Sequence, residues 1–137
     1  MEGPPPVIVL DTAAWVWWVS DPARLSTRAR RAIEVEEERH GLVVSVISVW
    51  EVGVKVALRK LVLDRDVRSW VELASSYPGI LVQPLSAVDA LESTLLPRWR
   101  HRDPADRIVV ALARRLGVAL VTRDSAIRAY RYVSAIW

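Results

Sequence analysis

The chain has 137 residues, 52% of them apolar, a formal net charge of +3 and no cysteine. That length is too short for two independent cores, and that apolar fraction is too high for a disordered chain. The missing cysteine excludes a disulfide framework or a thiolate metal site. No apolar run approaches the ~20 residues that span a bilayer. "MEGPPP" lacks the basic and apolar stretches of a signal peptide. The prediction is one soluble, cytoplasmic domain over residues 1–137, with residues 1–6 a flexible lead and no membrane contact.

"VIVL", residues 7–10, is a β-branched run that reads as a buried strand ending at Asp11. "TAAWVWWVS" follows as a short helix, and Asp21-Pro22 marks a turn. "LSTRARRAIEVEEERHG" is a helix capped by Ser26 and ended by Gly41, with acids and arginines interleaved on its outer face. "LVVS", residues 42–45, is a second strand. "VISVWEVGVKVALRKL" has apolar residues at helical spacing despite many β-branched side chains.

Residues 66–76 read as a helix stopped by Pro78 and Gly79. "ILVQPL" is a third strand, and "SAVDALESTLL" a helix capped by Ser86. "DPADRIVVALARRLG" has Asp103 as cap, Pro104 at the first helical position and Gly117 as terminator. "VALVT" is a fourth strand, "DSAIRAYR" a short helix and "YVSAIW" a final strand. Strands alternating with helices predict an α/β fold: a three-layer α/β/α sandwich around a central, mainly parallel sheet.

In such a sheet, ligands bind beyond the carboxyl ends of the strands. Asp11 ends the first strand and Asp124 lies just past the fourth. Glu51 falls early in the helix after the second strand, and Asp106 in the first turn of the helix before the fourth. Each alone is explained by capping: Asp11 and Asp124 suit N-cap positions, and Ser48–Glu51 and Asp103–Asp106 have capping-box spacing. Gathered together, four carboxylates repel, and a divalent cation explains them most simply. Oxygen ligands suit Mg²⁺ or Mn²⁺. His40 and His101, the only histidines, have no partner at metal-ligand spacing and read as a helix-end and a loop residue. Hydrated Mg²⁺ held by carboxylates acts on phosphodiesters. The positive charge is nearly all arginine, the only lysines being Lys55 and Lys60, which suits a polyanionic partner.

"VIVLDTAAWVWW", "VSVISVWEVGVK", "HRDPADRIVVALA" and "ALVTRDSAIRAY" resemble, in order, the four segments of a PIN-domain ribonuclease. More narrowly, they are similar to the VapC-type toxins of toxin–antitoxin pairs. The resemblance runs from about Val7 to Trp137. It implies a PIN-like sandwich, with Asp11, Glu51, Asp106 and Asp124 as catalytic metal ligands for Mg²⁺ or Mn²⁺. The implied reaction is RNA cleavage by metal-activated water, on structured targets such as tRNA or rRNA. The implied partners are a second copy, as a homodimer, and a cognate antitoxin that inserts a segment near the site. Asp103, one turn from Asp106, is a cap or an outer group of the metal site. Thr12 and Ser48 either cap helices or hydrogen-bond the site. Arg107 and Arg123 either face phosphate or pair with the adjoining acid, with pairing favoured for Arg107. The seven tryptophans read chiefly as packing or interface residues. Two other readings stay open. One is a catalytically silent RNA- or protein-binding module, disfavoured because all four acid positions are filled. The other is a metal-dependent phosphatase, disfavoured because Ala13 stands where a second acid is wanted.

Overall fold

The computed structural model describes residues 7–137, so the flexible lead expected over residues 1–6 lies outside the described residues. The strands are β1 (Ile8–Leu10), β2 (Leu42–Ser45), β3 (Ile80–Gln83), β4 (Leu120–Val121) and β5 (Ala135–Ile136), in spatial order β3-β2-β1-β4-β5. Every pairing is parallel, with Leu10 opposite both Val44 and Val121. The helices are α1 (Thr12–Ser20), α2 (Thr27–Arg39), α3 (Val46–Ala57), α4 (Val67–Ser75), α5 (Ala87–Thr94), α6 (Pro104–Leu116) and α7 (Ser125–Ala129).

The period-two alternation of strand side chains divides the core into two layers. Ile8, Leu10, Leu42, Val44 and Val121 face Trp15, Ala29, Ile33, Trp70 and Ala74 from α1, α2 and α4. Val9, Val43 and Leu120 face Val109, Val110, Leu112 and Ala113 of α6 and Ile127 of α7. This is the expected sandwich. Each fully buried side chain of this size contributes about 2 kcal/mol. The two largest, Trp15 and Trp70, meet edge to face with centroids 5.0 Å apart. Their indole N–H groups donate to the Ala74 carbonyl (3.1 Å) and the Ser20 hydroxyl (2.7 Å), so neither ring buries an unpaired donor.

Several boundaries differ from the sequence reading, among them the final strand, which is only Ala135–Ile136, and the short helix before it, which ends at Ala129. The helix expected to run to Leu61 ends at Ala57. Arg59 takes a left-handed φ of 56°, and the Lys60 and Leu61 amides both turn back to the Lys55 carbonyl. The third strand stops at Gln83, because Pro84 has no N–H for the ladder. The fourth contains Leu120 and Val121, not all of residues 118–122. Where only a turn was expected after Asp21, Pro22–Arg24 forms a 3-10 turn. The β-branched α3 is nevertheless helical, with Val52 fully buried, which is packing overriding intrinsic preference.

From β1 the chain moves to β2 and β3 on one side, then crosses to β4 and β5 on the other. The order therefore reverses between β1 and β4, and their carboxyl ends flank the crevice where α/β proteins bind ligands.

Candidate metal centre

Asp11 follows β1 and caps α1, its carboxylate accepting the Ala14 N–H at 2.8 Å. Asp124 follows β4 and caps α7, accepting the Ile127 N–H at 3.0 Å. Asp103 caps α6 by accepting the Ala105 and Asp106 N–H groups at 2.8 and 3.2 Å. Asp106, in the first turn of α6, is thereby free of capping duty. Glu51, on the second turn of α3, lies with its carboxylate 3.5 Å from the Lys55 ammonium. Asp11, Glu51, Asp103, Asp106 and Asp124 line one cleft of about 410 Å³, together with Thr12, Ala13, Lys55, His101 and Arg123. A larger cleft, about 590 Å³, lies at the amino ends of β1 and β4 and holds, among the described residues, Glu36 as its only acid.

Crowding shows in the protonation of the cluster. Burial pushes the Asp11 carboxyl up to about 6; Glu51 and Asp124 add repulsion, while the Thr122 side chain and the Ala14 N–H hold it down. Asp106 is pushed up to about 7, first by burial and then by Asp103, Asp124 and Glu51, with His101 opposing. Acids in this state exchange protons readily for a cation. The donor atoms also have the right spread: His101 nitrogen and carboxylate oxygens of Asp106 and Asp124 lie within 4.8 Å of one another. Asp11 and Glu51 line the same cleft, and a lining of carboxylate oxygens fits a hard divalent cation.

Several sequence expectations change here. Ser48 does not cap α3; Ser45 does, accepting the Ile47 N–H at 3.2 Å. Ser48 is instead fully buried and accepts the Thr12 hydroxyl proton at 2.8 Å, tying α3 to α1 beneath Asp11 and Glu51. Thr12 lines the cleft but spends its hydroxyl hydrogen on Ser48 rather than on a carboxylate. Among the described residues Arg107 pairs with no acid: its Nε donates to the His101 carbonyl at 3.0 Å. Arg123 remains exposed at the cleft margin.

His101 is the principal omission. It is the loop residue that the sequence suggests, with no partner at metal-ligand spacing along the chain, but its Nε2 lies 3.4 Å from Asp106 and 3.6 Å from Asp124 in space. Its Nδ1 accepts the Asp103 N–H at 3.3 Å, which leaves the neutral ring with its proton on Nε2, facing the two acids. In that tautomer the Nε2–H faces the two carboxylates from 3.4 and 3.6 Å. Nothing in a lone histidine two residues before a capping aspartate announces this. Lys55, four residues after Glu51, was legible as a helical ion pair. Thr122, which accepts the Asp124 N–H at 3.1 Å and bonds Asp11, was legible only as the second residue before an acid.

Fold and cleft together define an α/β protein that gathers acids where its parallel sheet reverses order. The family is the PIN domain, whose model matches residues 8–132, and the chain belongs to it. It is 34% identical over 126 residues to ribonuclease VapC22 of Mycobacterium tuberculosis (strain ATCC 25618 / H37Rv), covering 91% of this chain and 92% of that protein. Among solved structures it is similar to VapBC2 from Rickettsia felis bound to a promoter DNA fragment, with TM-score 0.69 and 13% identity over 94% of this chain and 96% of that one. It is also similar to FitAcB from Neisseria gonorrhoeae, with TM-score 0.60 and 18% identity over 94% and 96% of the two chains. Among the described residues no helix is long and apolar enough to cross a membrane.

Proposed function

We propose that this chain is a metal-dependent endoribonuclease, the toxin of a toxin–antitoxin pair, acting as a single PIN domain in the cytoplasm. Asp11, Glu51, Asp106 and Asp124 hold Mg²⁺ or Mn²⁺, and RNA, in the form of tRNA or rRNA, is the substrate. A cognate antitoxin silences it, and two copies form a dimer. The observation that carries this reading is the convergence of four acids, from four distant stretches of chain, at the reversal point of the sheet. The family membership and the VapC22 likeness point the same way.

The bound ion supplies Lewis acidity, activating water and neutralising charge on the scissile phosphate. The chain's own groups prepare its place. Caps at Asp11 and Asp124 fix two carboxylates by backbone bonds, so they cannot swing out to solvent. Asp103 takes the cap of α6 and leaves Asp106 to the cleft. Lys55 steadies Glu51, and the His101 Nε2–H lies between Asp106 and Asp124, easing their repulsion while no ion is bound. Asp11→Asn should abolish Mn²⁺-dependent cleavage of labelled RNA and leave the circular dichroism spectrum unchanged. Cleavage at the parent rate would refute the assignment.

A further inference from the structure

An arginine-rich strip floored by indole rings leads from the carboxylate cleft along the same edge of the sheet. Arg123 follows β4 and lines the cleft beside Asp124. Its guanidinium carbon lies 5.9 Å from the ring centroid of Trp17, and that of Arg24 lies 4.8 Å from the same ring. Trp17 packs against Trp137, centroids 5.8 Å apart. Trp137 follows β5 and lines a neighbouring hollow of about 420 Å³ with Arg28, Ser125 and Arg128. The strip thus runs from the β4 end of the cleft past β5, on the carboxyl side of the sheet.

Its charges are not used by the fold. Among the described residues, Arg30, Arg65 and Arg115 pair with acids, whereas Arg24, Arg28, Arg123 and Arg128 do not. All four are exposed. Like charges gathered in this way repel, and an indole face offsets part of that cost while leaving the N–H fork of the guanidinium free. Arginines ordered in this way, with their donors unspent, suit a series of phosphates. Arginine beside aromatic rings is also how single-stranded nucleic acid is held without reading its sequence. The strip is continuous with the cleft in which a scissile phosphate would sit, which favours RNA over an acidic protein segment as its occupant.

We propose that this strip is a phosphodiester-backbone subsite. It holds the single-stranded RNA flank on one side of the cut through phosphate contacts from Arg123, Arg24, Arg28 and Arg128, with Trp17 and Trp137 as its floor. The proposal rests on the ribonuclease reading and names where that substrate lies. It also accounts for how a polyanion is attracted to a site built of acids.

The test is fluorescence anisotropy of a labelled oligouridylate over a salt series, with Ca²⁺ as the only divalent ion. The Arg24→Gln/Arg128→Gln double variant should bind about tenfold more weakly. It should also flatten the dependence of log affinity on log salt by ~0.7 per charge removed. Arg68→Gln on α4, which packs on β3 at the opposite edge of the sheet, should leave that slope as it was. An unchanged slope in the double variant overturns the proposal, even where the same variant loses an acidic peptide, because the strip would then be a protein-docking surface. Mn²⁺-dependent hydrolysis of bis(p-nitrophenyl) phosphate by the unaltered chain checks the nuclease reading separately. If that fails while the slope still flattens, the strip stands as an RNA-binding surface and the ribonuclease reading falls.

Discussion

Asp89 and Asp106 are both carboxylates withdrawn from solvent, and each meets helix α6. Asp89, in the first turn of α5, is 2% exposed and is held by the Arg115 guanidinium from the last turn of α6, which donates from both Nε and Nη2. Asp106, in the first turn of the same α6, has Asp103, Asp124 and Glu51 as charged neighbours and, among the described residues, only the His101 ring within ion-pair distance. Burial alone therefore does not mark a functional acid here. The first carboxylate has its counter-charge built in and joins two helices. The second lacks one, and the deficit is shared with Asp11 across the cleft. Unmet charge of this kind is what the proposed cation site requires.

The contrast can be broken most sharply by exchanging charge for amide at both places. Asp106→Asn should lower Mn²⁺-dependent RNA cleavage by about a hundredfold or more, since the proposed function makes Asp106 a direct ligand. Asp89→Asn should keep cleavage per folded molecule close to the parent rate. Equal losses in gel assays of both variants would erase the distinction. Stability should respond in the reverse order. Asp89→Leu strands Arg115 at the α5–α6 contact and should cost about 1–3 kcal/mol in urea unfolding; the half-exposed arginine can rehydrate, which keeps the loss below that of a fully buried pair.

Acidity sharpens the comparison further. The carboxyls of Asp11 and Asp106 stand at about 6 and about 7, above their ordinary value of 3.8. The metal-free folded state therefore holds protons that the unfolded chain has released. The stability these protons confer is present below about pH 4 and is lost as pH rises through about 6 to 7. In metal-free thermal melts, Asp11→Asn should gain on the parent over that interval, by about 1–3 kcal/mol, and saturating Mn²⁺ should erase the gain by stabilising only the parent. A constant difference across pH would mean that the cluster is not strained. The smallest effect is expected at Asp103→Asn. Asparagine caps as well as aspartate, so stability should move by a few tenths of a kcal/mol. Cleavage should fall less than tenfold, which kinetics beside Asp106→Asn would measure.

The sequence by itself determined the local elements of this protein. Ser26, Ser86 and Asp103 cap the helices they were expected to cap, and Gly117 ends α6 in the left-handed conformation. Those bonds reach only three residues along the chain, so the residues that make them lie together in the sequence. The alternation of strand and helix gave away the parallel sheet because parallel strands need a helix-length crossover between them, and the motif resemblance picked out four of the five acids that line the cleft. Helix and strand limits were less legible where the chain turns by backbone geometry alone, as at Arg59, or where pairing depends on a neighbour, as in β4. Tertiary structure alone decided that β1 and β4 lie side by side, that Thr12 bonds Ser48 across 36 positions and that Asp89 meets Arg115 across 26. It also brought His101 between two acids and laid Arg24 and Arg123 over one indole. Such contacts are set by the order in which strands pack, and that order is fixed by burial summed over the whole core, which no short stretch of sequence contains.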